Sequence, residues 1–428
     1  MQVIDILYLY IGLRAAQHIV ERYLAFTNRR YYSNQQRLAN AASVLNISPT
    51  DLSKTIDYTE DKYRFGAISS WLELPFTLLF LYFGGLGVIE AFAGNVSHAI
   101  DGSTISTGVI FFLTLAMLSA LTSLPFELYN TFQIEEKHGF NRQTPKGFFV
   151  DKIKGLFVGA LLGIPLLSAL LWVIEKAGHL WWVYAWLLLF SFSLFAVWIY
   201  PTVLAPLFNK FTPLDSGELK VKIEDLAKRV AFQADGVSIM DASKRSSHGN
   251  AYFTGVFGKK KIVLFDTLVK AMNVDEITAV LAHELGHFKL NHIRIGLIRS
   301  FFSTGLMFYG MSLMMPYEKL YTSLGLNGTS SYGALIVFSL WFGLVSFLFQ
   351  PFSSYLSRKN EFAADAFALQ HIPKRNLLGD ALLKLREKSN LMPISHPLFS
   401  RFYHSHPPLI ERLSAMNYNQ ASNSQKGE

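Results

Sequence analysis

Seven stretches of this chain are apolar for long enough to cross the roughly 30 Å hydrocarbon core of a bilayer, and that leaves few folds open to it. They cover residues 4–26, 68–89, 109–128, 156–174, 180–200, 295–315 and 335–352. Within lipid a segment has to satisfy its own backbone amides, so these stretches are predicted as helices. Composition agrees: 51% of the 428 residues are hydrophobic and only 16% charged, a balance too apolar for a soluble enzyme of two or three domains. Arg14, His18, Glu21 and Arg22 interrupt the first stretch, so an amphipathic helix lying on the membrane surface is the alternative there. The N-terminus lacks the basic region, apolar core and small-residue site of a cleavable signal, and its first segment is expected to be retained.

The connecting loops predict orientation. Arg29, Arg30, Arg37, Lys54, Lys62 and Arg64 lie between the first two stretches, and Lys137, Arg142, Lys146, Lys152 and Lys154 between the third and fourth. Residues 94–104 hold no Lys or Arg, and the turns after the fourth and sixth stretches hold only Lys176 and Lys319. Cations in every second loop are what the positive-inside rule produces. It puts the N-terminus outside, with residues 201–294 and the C-terminus in the cytoplasm. The net charge of +8 follows from this topology, so the expected partner is the lipid bilayer, with no nucleic acid.

The chemistry sits in Ala282-His283-Glu284-Leu285-Gly286-His287, which reads H-E-x-x-H. Asn273 with Glu276 three residues on is a helix-capping signal, and Ile277, Val280, Leu281 and Leu285 follow at helical spacing. One turn of helix brings His283 and His287 to one face, where both imidazoles can hold a single Zn²⁺ per chain while Glu284 accepts a proton from metal-bound water. With no Cys in the chain, thiolate ligands, disulfides and Cys nucleophiles are excluded.

One more protein ligand is needed. The longer form of the motif would place it at Ile293, with a Gly at Leu290, and neither residue fits. His292 lies nine residues from His283 and five from His287, which on one continuous helix turns it away from their face, and it is read as solvated. The better candidate is Glu361 in the segment 357–365, with Asp365 one turn further on to meet the free ring nitrogen of a ligating His. Arg358 could hold either carboxylate; a plain charged helix face is the alternative.

Around the motif the pattern is that of a small polar lobe. Leu219, Ile223, Leu226 and Val230 mark an amphipathic helix, followed by strand-like Val237–Met240, 252–257 and Lys261–Phe265 around a Gly258-Lys259 turn, which together predict a small mixed sheet. Asn250-Ala251-Tyr252 is its candidate edge for taking up a peptide backbone by strand addition, or else the inner strand of a hairpin. A donor to the developing oxyanion is also required, and His406 or Arg412 could supply it. Sequence distance does not choose between them. Arg14 and Glu73, inside apolar stretches, are expected to line a watery interior, or else to be satisfied between helices or to snorkel to a helix end. The chain is expected to divide into a membrane region 1–200 with five helices, a cytoplasmic catalytic lobe 201–294, two further membrane helices 295–352, and 353–428, which returns to the lobe with the third ligand.

Five segments in order then resemble the zinc CAAX prenyl endopeptidases: residues 129–141, 243–253, 283–287, 357–365 and 405–413. The resemblance runs almost from end to end. It implies an α-helical polytopic membrane protein with about seven helices around a water-filled chamber and a small inserted α+β peptidase lobe, the zinc facing inward. It implies removal of the last three residues of prenylated CAAX proteins, with His283, His287 and Glu361 as ligands and Glu284 as base. Asp365 would be the carboxylate behind the metal, often described as the proton donor; Asn250, Ala251 and Tyr252 would be the substrate edge. His406 with Arg412 would lie near the substrate carbonyl or carboxylate. Residues 424–428 do not reproduce the retention tails that eukaryotic members can carry, which leaves the host membrane open. The rival among enzymes is a membrane quality-control zinc protease without prenyl specificity. Outside enzymes it is a zinc-binding scaffold or transporter, which loss of a ligand would have favoured.

Overall fold

The computed structural model describes residues 3–233, 235–254 and 260–418. The Gly258-Lys259 turn, the 255–257 end of the second expected strand and the 424–428 tail lie outside them. The membrane half is built from α1 (Val3–Tyr32), α2 (Pro49–Tyr82), α3 (Gly85–His98), α4 (Thr104–Tyr129), α5 (Pro145–Lys176) and α6 (Trp181–Ile199). Ser48, Ser103 and Thr144 start α2, α4 and α5 by accepting a backbone N–H with the side-chain oxygen. Pro75, Pro125 and Pro165 lie inside these helices without ending them, as long helices in lipid allow.

The lobe contains β1 (Phe211–Pro213), α7 (Glu218–Arg229), β2 (Val237–Met240), β3 (Ala251–Thr254), β4 (Lys261–Phe265), α8 (Asp266–Ala271) and the zinc-motif helix α9 (Val274–Lys289). The sheet runs β1-β2-β4-β3, with β2 and β4 parallel and the other pairs antiparallel. It is therefore mixed, as expected, and β3 stands at its edge. The chain then re-enters the membrane half through α10 (His292–Met314) and α11 (Ser331–His371), and α12 (Asn376–Lys388) and α13 (Leu409–Ala415) close on the lobe.

Among the described residues, five helices are long and apolar enough to span: Pro49–Tyr82, Thr104–Glu135, Pro145–Lys176, Gly178–Phe208 and Ser331–His371. The expected first and sixth stretches also form helices, α1 and α10. Arg14, Glu21 and Arg22 in one, and Arg294 and Arg299 with several Ser and Gly in the other, dilute their apolar character. The stretch 68–89 is not one helix: it breaks at Phe83-Gly84, where Gly84 takes φ 70°, a left-handed conformation that a side chain disfavours.

The two halves have separate cores. Phe111, Leu171, Phe308 and Tyr321 pack inside the membrane half, while Leu226, Ile262, Leu264 and Leu281 pack between sheet and helices in the lobe. Leu306, Leu348 and Phe349 are exposed on these helices. Arg14 reaches Glu21 at 3.6 Å, and Glu73 lines a cavity of about 770 Å³ between α2 and α4.

Candidate active site

The capping box expected at the start of α9 is present in full: Asn273 accepts the Glu276 N–H at 2.9 Å, and Glu276 returns the bond at 2.9 Å. Below it the apolar side of α9 is buried against the sheet and α11, so His283 and His287 face the crossing between the two helices. That crossing is close because residue 286 is Gly. A Cβ there would lie 3.1 Å from the Cα and from the backbone oxygen of Ala364. The short approach lets Glu361, on the same long helix that spans the membrane, reach the histidines.

His283 Nε2 and His287 Nε2 are 3.2 Å apart, and the Glu361 carboxylate oxygens lie 3.5 and 3.3 Å from them respectively. Ligands at about 2.1 Å around a tetrahedral zinc would be spaced by roughly 3.4 Å, so the donor set fits a small divalent ion. Glu361 Oε2 is buried and has no hydrogen-bond partner among the described residues. An acceptor left so is costly unless a cation completes it.

Behind this trio, Asp365 Oδ1 lies 2.8 Å from His283 Nδ1, and Arg412 donates to Asp365 at 2.6 and 2.9 Å. Burial by itself would lower the His283 pKa, but its bonds to Asp365 and Glu361 outweigh that and raise it to about 9. Surroundings that stabilise an imidazolium this strongly also favour a metal cation. Burial pushes the Glu284 carboxyl above its ordinary range, with the neighbouring histidines opposing, and this carboxylate takes no hydrogen bond among the described residues. It is available as a base. His406 Nε2 sits 3.4 Å from Glu361 Oε1 with its side chain largely exposed, on the open side of the site.

Two expectations are corrected. Arg358 holds neither carboxylate; its guanidinium donates to the carbonyls of Ser400 and His404 at 2.7 and 2.9 Å, and Arg412 takes the role instead. Arg412 is buried with its fork bound to Asp365, the carboxylate that meets His283. His292 is not a solvated helix residue: its Nδ1 is 3.0 Å from His287 Nδ1. Asn291 takes a left-handed conformation (φ 57°) between α9 and α10, which breaks the helical register assumed for it.

Ala251 and Tyr252, with Asn250 just before them, lie at the edge of the sheet, where among the described residues β3 pairs with β4 alone, Ala251 opposite Leu264. Edge-to-face rings link this strand to α9, Phe232 lying 5.2 Å from Phe253 and 5.0 Å from Phe288. The segment 129–141 assigned no role by sequence turns out to brace it. A π-helical turn, Asn130–Glu135, places Glu135 to accept from Tyr58 Oη (2.9 Å) and Lys62 Nζ (3.0 Å), with His248 Nε2 at 4.0 Å. Phe140 stacks on His248, two residues before the edge.

The chain matches two family models in sequence: CAAX prenyl protease N-terminal, five membrane helices, over residues 28–210, and Peptidase family M48 over 213–420. It is 39% identical to a CAAX prenyl protease 1 homolog of Arabidopsis thaliana over 87% of this chain and 88% of that protein. It is 36% identical to the Homo sapiens CAAX prenyl protease 1 homolog, over 93% and 92%. The crystal structure of S. mikatae Ste24p superposes with a TM-score of 0.91 at 33% identity, covering 96% of this chain and 99% of that one. A metal-ready His-His-Glu set in a multi-pass membrane protein, with relatives aligned over nearly the whole length, makes this chain a metallopeptidase of family M48, in the CAAX prenyl protease family.

Proposed function

We propose that this protein is a zinc endopeptidase that removes the C-terminal tripeptide of prenylated CAAX-type proteins or peptides. The observation that carries the chemistry is the meeting of His283, His287 and Glu361 at 3.2–3.5 Å in a buried pocket. The substrate class rests on the kinship with the CAAX prenyl protease 1 homologs. Zinc, when bound, supplies a Lewis acid and an acidified water.

The chain's own residues do the rest. Glu284, beside the two histidines, serves as the general base that holds a proton on its carboxylate and passes it to the leaving amine; with zinc bound, that proton would come from the attacking water. His406, on the open side, donates to the oxyanion. Asp365 holds His283 in the tautomer that leaves Nε2 free for the metal, and Arg412 holds Asp365. Asn250, Ala251 and Tyr252 align the substrate backbone along the sheet edge. Basic loops in alternation support a cytoplasmic lobe, with the N-terminus outside.

Glu284→Gln is expected to lose cleavage of a farnesylated CAAX peptide by roughly 10²- to 10⁴-fold or more while keeping one zinc by metal analysis. Undiminished turnover would overturn the assignment of the base. Equal cleavage of the unprenylated peptide would favour the quality-control reading.

A further inference from the structure

A separate open cavity, of about 270 Å³, with a lining that includes Leu268, Met272 and Leu385, lies away from the metal ligands, between the lobe and the start of α5. Arg142, Lys270, Lys384 and Lys388 line it, from the loop before α5, from α8 and from α12, and no carboxylate does. Ser246 and Ser247 add hydroxyls from the segment that leads to Asn250. Two of the cations have partners nearby: Lys384 pairs with Glu276 at 2.7 Å and Lys270 with Asp266 at 3.4 Å. Those carboxylates are themselves held, Glu276 by the Asn273 N–H and Asp266 by the Ser243 N–H, both at 2.9 Å. Arg142 and Lys388 have no carboxylate within ion-pair distance among the described residues.

We propose that this cavity binds a phosphate-bearing anion. Like charges gathered around one concavity repel one another, and a compact multivalent anion relieves the repulsion while accepting hydrogen bonds from guanidinium, ammonium and hydroxyl groups together. Arg142 lies three residues before Pro145, the first residue of α5, so the cavity stands at the loop end of a helix whose apolar stretch begins further on. A phosphorylated lipid headgroup and a soluble phosphate share the chemistry the pocket recognises. Ser246 and Ser247 belong to the wall, so an occupant also stiffens the approach to the edge strand.

The test uses full-length protein in detergent, which needs no turnover and so stands apart from the peptidase reading. Binding of inositol hexakisphosphate, inorganic phosphate and short-chain phosphatidylinositol bisphosphate is followed by calorimetry and native mass spectrometry, with short-chain phosphatidylcholine as the blank. Arg142→Gln/Lys388→Gln is compared with Lys220→Gln/Lys228→Gln, which removes the same charge from α7. Saturable binding, weakened roughly tenfold or more in the first variant and unchanged in the second, supports the pocket. Tighter binding of the phosphorylated lipid than of the free anions identifies a headgroup; binding of the free anions alone identifies a soluble ligand. No saturable binding of any probe, or equal weakening in both variants, overturns the proposal.

Discussion

His283 Nδ1 lies 2.8 Å from Asp365 Oδ1, on the side of the imidazole opposite the one that faces His287 and Glu361. The contact makes the ring's orientation depend on a residue 82 positions away and, through Asp365, on Arg412. Replacing Asp365 by Asn keeps the shape and removes the charge. Metal affinity, measured by competition with a chromophoric chelator, is expected to fall roughly 10- to 100-fold. Wild-type affinity in that variant would remove Asp365 from the support of the site.

Gly286 sets the distance between the metal helix and the helix carrying Glu361. An added methyl meets the Ala364 backbone at 3.1 Å, which backbone can relieve only by moving. Gly286→Ala gains up to about 1 kcal/mol of helix propensity but incurs about 1–3 kcal/mol of overpacking. Thermal stability should therefore drop modestly, while metal affinity drops more, because the Glu361 side of the trio is displaced. A variant with lower stability and unaltered metal affinity would contradict this.

His292 fixes the other ring. Its Nδ1 meets His287 Nδ1 at 3.0 Å, so loss of the imidazole leaves His287 free to choose its tautomer. His292→Ala is expected to weaken metal binding by roughly tenfold, and His292→Asn, which can accept the same hydrogen bond, to restore most of it. Equal affinity in both variants would show the contact to be incidental.

Glu135 ties the membrane half to the segment that leads into the edge strand. Glu135→Gln loses the charge-assisted bonds from Lys62 and Tyr58 and the nearby charge facing His248. The expected effect is a rise in KM of roughly tenfold with kcat and bound metal little changed. Burial already holds the His248 pKa below its ordinary value, with Glu135 opposing. The proton is therefore taken up more readily when His248 is released than when it is packed, so acidification through about pH 6.5 disfavours the packed form. The KM of Glu135→Gln should climb more steeply on the acid side than that of the parent; parallel curves would refute the coupling.

Local periodicity is legible in a linear chain, and it is what made α9, its capping box, β2, β4 and most membrane helices readable before any coordinates. One helical turn places His283 beside His287, and a single apolar run long enough for a membrane admits little besides a helix. The choice of Glu361 as their companion came from spacing alone, and the fold brings it to 3.3–3.5 Å. Tertiary structure decided where periodicity stops. The left-handed Asn291 returns His292 to His287, the left-handed Gly84 breaks what reads as one span, and the chain beyond α11 folds back to carry Arg412, not Arg358, to Asp365. Each depends on a backbone reversal or on packing between distant segments, and neither leaves a repeat in the sequence to count.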